Sequence, residues 1–193
     1  TGWVNLGTYR NQVFTRNKVG MGIGRGRHGA AHRDKAWARG EPLPVAISIG
    51  HDPLIEMMAG VEIAPPSITD YDIIGAIKGE PVEVIKSSLT GLPIPANSEI
   101  VLEGFYRPDA EMYEEGPFGE WQGYVEGGSM RRALTVEAVY HRYDPVISGC
   151  PPGKPPACNE SYLLCVWRAA LIHNALEQAG IRDVKGVWSH ESS

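Results

Sequence analysis

Cysteine is scarce in this sequence and never paired. Cys150, Cys158 and Cys165 form no CxxC motif, which argues against a Cys-rich zinc site and a disulfide framework. Reduced thiols in a cytoplasmic protein are the expectation. A surplus of cations is also missing: 18 Lys+Arg stand against 23 Asp+Glu, a formal net charge of −5. A non-specific nucleic-acid binder is therefore disfavoured. No apolar run approaches the ~18–20 residues of a membrane span. The first residues, Thr1-Gly2-Trp3-Val4-Asn5, lack the basic region and apolar stretch of a signal peptide. An initiator Met is absent too, so a piece of a longer chain is expected. There is no internal repeat.

Glycine and proline, by contrast, are plentiful at 23 and 15 of 193 residues, which implies many turns. The first half reads as short strands and helices. Val13–Thr15 and Met21–Ile23 suit a strand pair, and Ala30–Arg39 a helix ending at Gly40. The apolar run from Pro44 to Gly50 reads as a buried strand. Asp52 and Pro53 suit the cap and first position of a helix to Ala59. Tyr71–Ile77 reads as a helix stopped by Gly79. Further on, Val82–Lys86, Glu99–Tyr106 and Leu134–Tyr143 alternate as half-buried strands do, with Leu134, Val136, Ala138 and Tyr140 on one face. Glu114 to Gly128 has no period and reads as a loop. After the stiff Pro151–Pro156 break, Glu160–Ala179 carries an apolar stripe at helical spacing. Runs of strands with helices to the side indicate an α+β fold built on a barrel or sandwich. Residues 1–150 would form one domain, and 151–193 a break and a linker helix.

Four segments could carry chemistry. Gly24-x-Gly26-x-x-Gly29 fits the dinucleotide fingerprint, but no regular βαβ unit follows. The glycines suit close approach to a ligand, with Arg25 and Arg27 as forked donors to phosphate. Glu115 and Glu120 flank a rigid Gly-Pro-Phe-Gly turn that could aim both carboxylates at one cavity. Two such carboxylates can titrate apart, leaving one as a general acid. Asn5, Tyr9 and Arg10 say little alone. His28 has His32 four residues on, but no HExxH motif exists, which rules out a zinc protease of that type.

Together these segments resemble the UbiD-type decarboxylases, which use prenylated FMN. The resemblance covers nearly the whole chain. It lies in Asn5-x-x-x-Tyr9-Arg10, Gly26-Arg27-His28, Pro44-Val45-Ala46-Ile47-x-Ile49-Gly50-x-Asp52-Pro53, Gly75-Ala76-Ile77-x-Gly79 and Pro95-x-x-x-Glu99-Ile100-Val101-Leu102-Glu103-Gly104. Its most specific block is Glu115-Gly116-Pro117-Phe118-Gly119-Glu120. The resemblance implies an antiparallel split β-barrel like that of flavin reductases. It implies a catalytic Arg10–Glu115–Glu120 network and metal ligands at Asn5, His28 and Asp70. Cofactor contacts would come from Asn5, Tyr9, Arg10, Arg25, Arg27 and His28. The ion would be Mn²⁺, with K⁺ as a second candidate.

The implied chemistry is loss of CO₂ from an aromatic or α,β-unsaturated acid, in a reversible reaction. A carbanion on an sp² carbon needs an electron sink, which a modified flavin supplies. Glu120 would deliver the proton and Arg10 would meet the substrate carboxylate or Glu115. The implied partners are a flavin prenyltransferase as cofactor source and, in a full-length protein, further copies of the chain. Two other readings stay open at this point: a flavin- or phosphate-binding module without turnover, and an FMN reductase-type enzyme.

Overall fold

The computed structural model describes residues 3–61, 68–120, 123–149 and 159–190. In chain order the elements are β1 (Val13–Thr15), β2 (Lys18–Gly20), α1 (His28–Ala38), β3 (Leu43–Ile49), α2 (Pro53–Ala59) and α3 (Asp70–Lys78). They continue as β4 (Val84–Lys86), β5 (Pro93–Pro95), β6 (Ile100–Tyr106), β7 (Met112–Glu115), β8 (Phe118–Gly119) and β9 (Val125–Glu126). The long β10 (Ser129–His141) and α4 (Asn159–Gln178) complete the series. The chain forms two compact units. One comprises residues 1–115 and 129–148, the other 116–128 and 149–193.

The first unit is organised by one antiparallel sheet in the order β1-β2-β10-β6-β3, with β7 also pairing β10. Its core is Met21, Ile23, Ala30, Tyr106 and Leu134, packed by Trp37, Leu43, Val45 and Ile47. Helix α1 forms readily because Ala recurs through it. Its Trp37 indole donates to the Tyr106 carbonyl at 3.1 Å, fixing the helix to β6. On the other face of β6, Val101 and Glu103 look toward the β4–β5 hairpin. There the buried Glu103 accepts from the Thr90 hydroxyl at 2.5 Å.

Local chemistry sets the helix ends. Asp52 accepts from Leu54 N at the start of α2, ahead of Pro53. Thr69 and Asp72 form a reciprocal capping box at the start of α3, and Gly79 ends that helix in the left-handed conformation. The Lys78 ammonium reaches Asp52 at 2.8 Å, tying α3 to α2.

Several expectations are corrected. The second strand is Lys18–Gly20, not Met21–Ile23. Ile23 N donates back to Met21 O, so the chain turns there while both side chains enter the core. The 114–128 segment is not all loop: Glu115 ends β7, and Phe118–Gly119 pairs with Val125–Glu126. Leu134, Val136, Ala138 and Tyr140 do not share a face. Val136 opposes Gly104 and Ala138 opposes Glu103, so Glu137 is an extra residue and the pleat inverts. Tyr140 thus lies over Val101 while Leu134 fills the core. No sheet closes into a barrel among the described residues; the path β1-β2-β10-β6-β3 is open.

The second unit holds β8, β9 and α4. Helix α4 matches the expected 160–179 within a residue at each end. Cys165 is buried, whereas Val166, Leu171 and Ile172 are exposed. The Pro151–Pro156 break, Cys150 and Cys158 lie outside the described residues.

At Gly104, β6 and β10 approach so closely that a Cβ would collide with the Thr135 carbonyl oxygen. Backbone cannot yield as a flexible side chain can. Gly104→Ala is expected to cost about 2–3 kcal/mol or more, the upper range for overpacking, read as a lowered urea midpoint. An unchanged midpoint would show that the strands can part without penalty.

Candidate cofactor and active site

The N-terminal segment crosses the first unit and carries three of the expected site residues. Gly22 N donates to Arg10 O at 2.9 Å and Gly20 N to Gln12 O at 2.7 Å, so residues 10–12 run beside 20–22. A Cβ at Gly22 would stand 3.1 Å from Arg10 O, so glycine keeps that approach unstrained. Tyr9 anchors the other end of the segment. Its hydroxyl accepts from Gly29 N at 2.9 Å and from the Asn5 amide at 3.2 Å. The ring lies where a Cβ on Gly29 would be, so the glycine admits it to the first turn of α1.

These ties gather residues distant in sequence. Asn5, Tyr9, Arg27, His28 and Asp70 all line one cavity of about 280 Å³, together with Gly7, Gly22, Gly24 and Gly60. His28 opens α1 and Asp70 opens α3. Leu6 N donates to Asp70 Oδ2 at 2.8 Å. The Asn5 amide nitrogen is engaged by Tyr9, which leaves its carbonyl oxygen as the group available to the cavity. Trp3 lies edge-on to His28, with ring centroids 5.2 Å apart. Burial raises the Asp70 pKa, against the opposing pull of the Leu6 hydrogen bond and of His28. Burial likewise pushes the Tyr71 phenol up to about 12, with Asp70 adding to the effect. Among the described residues no three His, Cys, Asp or Glu side chains are grouped to hold a metal. The Asn5–His28–Asp70 set contains only two residues of those types.

A second cluster lies on the strands. Arg10 Nη2 donates to Glu115 Oε2 at 2.9 Å, and the Glu115 side chain has no exposure. Arg131 Nε donates to the same oxygen at 3.1 Å. Sequence reasoning missed Arg131. Its signal is cross-strand pairing: Ser129 faces Glu115, so Arg131 lies diagonally on the same face.

The other two expected residues, Arg25 and Glu120, lie on turns. Arg25 is exposed on the turn before α1 and does not line the cavity. Glu120 belongs to the second unit, where it closes a turn after β8. Its N–H donates to Tyr124 O at 2.8 Å, and Gly123 N donates to Glu120 O at 2.9 Å.

The raised Asp70 pKa makes stability depend on pH. The folded chain keeps that proton to higher pH than the unfolded chain does. Its contribution is therefore fully present below the unfolded pKa and is lost as pH rises through the folded one. Asp70→Asn removes this loss while keeping an acceptor for Leu6 N. In metal-free buffer the variant should resist urea better than the parent at pH 7, and the gap should narrow toward pH 3. No gap at pH 7 would mean that the carboxylate is not penalised there.

Comparison with known proteins places this geometry in context. The profile of the UbiD family, described as the 3-octaprenyl-4-hydroxybenzoate carboxy-lyase Rift-related domain, matches residues 1–155. A phenolic acid decarboxylase of Streptomyces sp. (strain D7) is 37% identical over 152 residues, covering 78% of this chain and 31% of that protein. A dimeric, evolved form of the UbiD-class enzyme HmfF from Pelotomaculum thermopropionicum, solved with prFMN, superposes with a TM-score of 0.86. It is 29% identical, and the match covers all of this chain and 43% of that one. The closed form of Sedimentibacter hydroxybenzoicus vanillic acid decarboxylase gives a TM-score of 0.79 at 32% identity, over 90% of this chain and 36% of that one. The chain thus spans roughly a third to two fifths of the length of these relatives. Its sequence blocks, its antiparallel sheets with flanking helices and its match to the family profile agree: the chain belongs to the UbiD family.

Proposed function

We propose that this chain is the cofactor-binding part of a decarboxylase that removes CO₂ from an aromatic or α,β-unsaturated carboxylic acid, reversibly, with prenylated FMN. The pairing of Arg10 with the buried Glu115 carries the reading. A lone carboxylate without exposure is costly, so it is retained where a charge is needed. Both residues fall on the positions that the family resemblance marks. The names of the relatives support an aromatic acid as substrate and prFMN as cofactor.

The cavity fits the phosphate end of such a cofactor and a divalent ion. Four glycines in its walls admit a close ligand, and Arg27 supplies a cation. Asn5 oxygen, His28 nitrogen and Asp70 carboxylate form a mixed O/N donor set suited to Mn²⁺. Asp70 is nearly buried with one oxygen facing Leu6 N, which would orient the carboxylate. Prenylated FMN would supply the electron sink on which the carbanion is stabilised. Tyr9 and Gly29 would hold Asn5 and His28 in place. Arg10 would bind and orient the substrate carboxylate, sharing its charge with Glu115. Glu120 would hand a proton to the carbon that CO₂ leaves.

The split-barrel architecture belongs to the same reading. Strand β10 pairs with β7 over 129–132 and with β2 and β6 further on, as a strand shared between two sheets would. Residues 1–150 would serve as the prenylated-FMN domain and 151–193 as the linker toward a C-terminal domain. The exposed Leu171 and Ile172 of α4 suit such a covering partner. A flavin prenyltransferase would supply the cofactor, and a homo-oligomer in the cytoplasm is the expected setting. No described helix is long and apolar enough to cross a membrane.

Two measurements test this on the protein at the length of its relatives, loaded with prenylated FMN and Mn²⁺. His28→Ala should lower bound Mn²⁺, read by metal analysis after desalting, and weaken cofactor retention. Glu120→Gln should slow CO₂ release by roughly 10²–10⁴-fold, the usual contribution of a placed acid, with the bound-cofactor spectrum unchanged. Wild-type turnover in Glu120→Gln would move the proton donor elsewhere. Full Mn²⁺ occupancy in His28→Ala would remove that ligand from the set.

A further inference from the structure

The face of β6 turned toward the β4–β5 hairpin holds a second cavity, of about 430 Å³, which shares no residue with the first. The hairpin contributes Ile85, Ile94 and Pro95, and the sheet contributes Val101, Glu103 and Tyr140. Tyr140 stands over Val101 because the extra residue at Glu137 inverts the pleat of β10.

Glu103 has no exposed surface. Its Oε1 accepts from the Thr90 hydroxyl at 2.5 Å, and its Oε2 is buried with no hydrogen-bond partner. A buried carboxylate oxygen without a donor costs free energy that a partner would recover. Ser87, Ser98 and Arg142, which also line the cavity, are bonded elsewhere. Ser87 Oγ accepts from Leu89 N and Thr90 N. Ser98 Oγ donates to Pro95 O and meets Ser48 Oγ. Arg142 is paired with Glu99 at 3.1 Å, and the other Glu99 oxygen accepts from Val146 N. Lys86 lines the same cavity but is exposed. Among the described residues no cation is bonded to Glu103.

We propose that this cavity binds an organic primary ammonium ion carried on an apolar body, with one N–H donated to Glu103 Oε2. The positive charge answers a buried carboxylate that no protein cation meets. A charge-assisted hydrogen bond is also roughly twice as strong as a neutral one. Ile94, Pro95 and Val101 supply apolar walls, and Tyr140 adds an aromatic one. The size falls within the range of small-molecule sites, ~300–1,000 Å³. No residue of the cofactor cavity or of the Arg10–Glu115 cluster takes part, so the site stands whether or not the decarboxylase reading holds.

The test is an NMR titration of the purified chain with phenethylammonium chloride and with phenethyl alcohol, which keeps a donor and the apolar body but lacks the charge. Amides of Ser87, Ile94 and Val101 report the site. The parent should bind the ammonium at least about tenfold tighter than the alcohol, with shifts centred on those amides. Glu103→Gln keeps an acceptor for Thr90 and removes the charge. It should bring the two affinities to within about threefold of each other. Ala96→Trp leaves Glu103 unaltered and fills the cavity from the residue after β5, so both probes should lose their saturable shifts.

Equal affinities in the parent, or no saturable shift at about 10 mM, overturn the proposal. An unchanged preference in Glu103→Gln, or undiminished binding in Ala96→Trp, puts the ammonium elsewhere and does the same. If Glu103→Gln fails to fold, the parent ratio together with Ala96→Trp decides.

Discussion

A carboxylate with no exposed surface sets the terms for the strand-built half of the site. Glu115 ends β7 with its side chain fully buried, and buried charge is tolerated only beside opposite charge. Arginines from two distant parts of the chain meet that demand. Arg10 arrives on the N-terminal segment, which is held by backbone bonds to residues 20 and 22. Arg131 arrives on β10, held by the ladder to β7. The strand ladders and the N-terminal segment therefore share one electrostatic point, which closes the sequence separation of 105 between Arg10 and Glu115.

The cavity half of the site depends on a smaller constraint of the same kind. An α-helix begins with unsatisfied N–H groups. In α1 one of them, at Gly29, is satisfied by the Tyr9 hydroxyl, which also receives the Asn5 amide. A single oxygen thus couples the helix start that carries His28 to the segment that carries Asn5. Asp70 is brought in by a comparable economy: Leu6 N, next to Asn5, finds its acceptor there.

Where a local rule decides the structure, the sequence was a good guide. Helix α2 begins and ends where Asp52, Pro53 and Ala59 indicate, because its cap is written within a few residues. Helix α3 extends one residue past the expected range at each end, so that Asp70 stands in its first turn. Where a distant partner decides, the pattern misled. The expected helix runs from Ala30 to Arg39, yet α1 is His28–Ala38 and takes in Gly29, where the Tyr9 ring occupies the space of a Cβ. The extra residue at Glu137 is invisible to an alternation count and reverses the face of Tyr140. The residues on the cavity were legible from the family blocks. Arg131 was not, since its meaning comes only from the strand opposite.

The glycine-rich lining of the cavity carries a consequence for how the protein could diversify. Gly7, Gly22, Gly24 and Gly60 present main chain, not side chains, to whatever enters. Main chain offers the same amide and carbonyl groups whatever residues are substituted around it. A wall of this kind reads the invariant part of a ligand and is blind to the rest. Selectivity for the variable part must then be written on surfaces built of side chains, and those can drift without disturbing the grip on the shared portion.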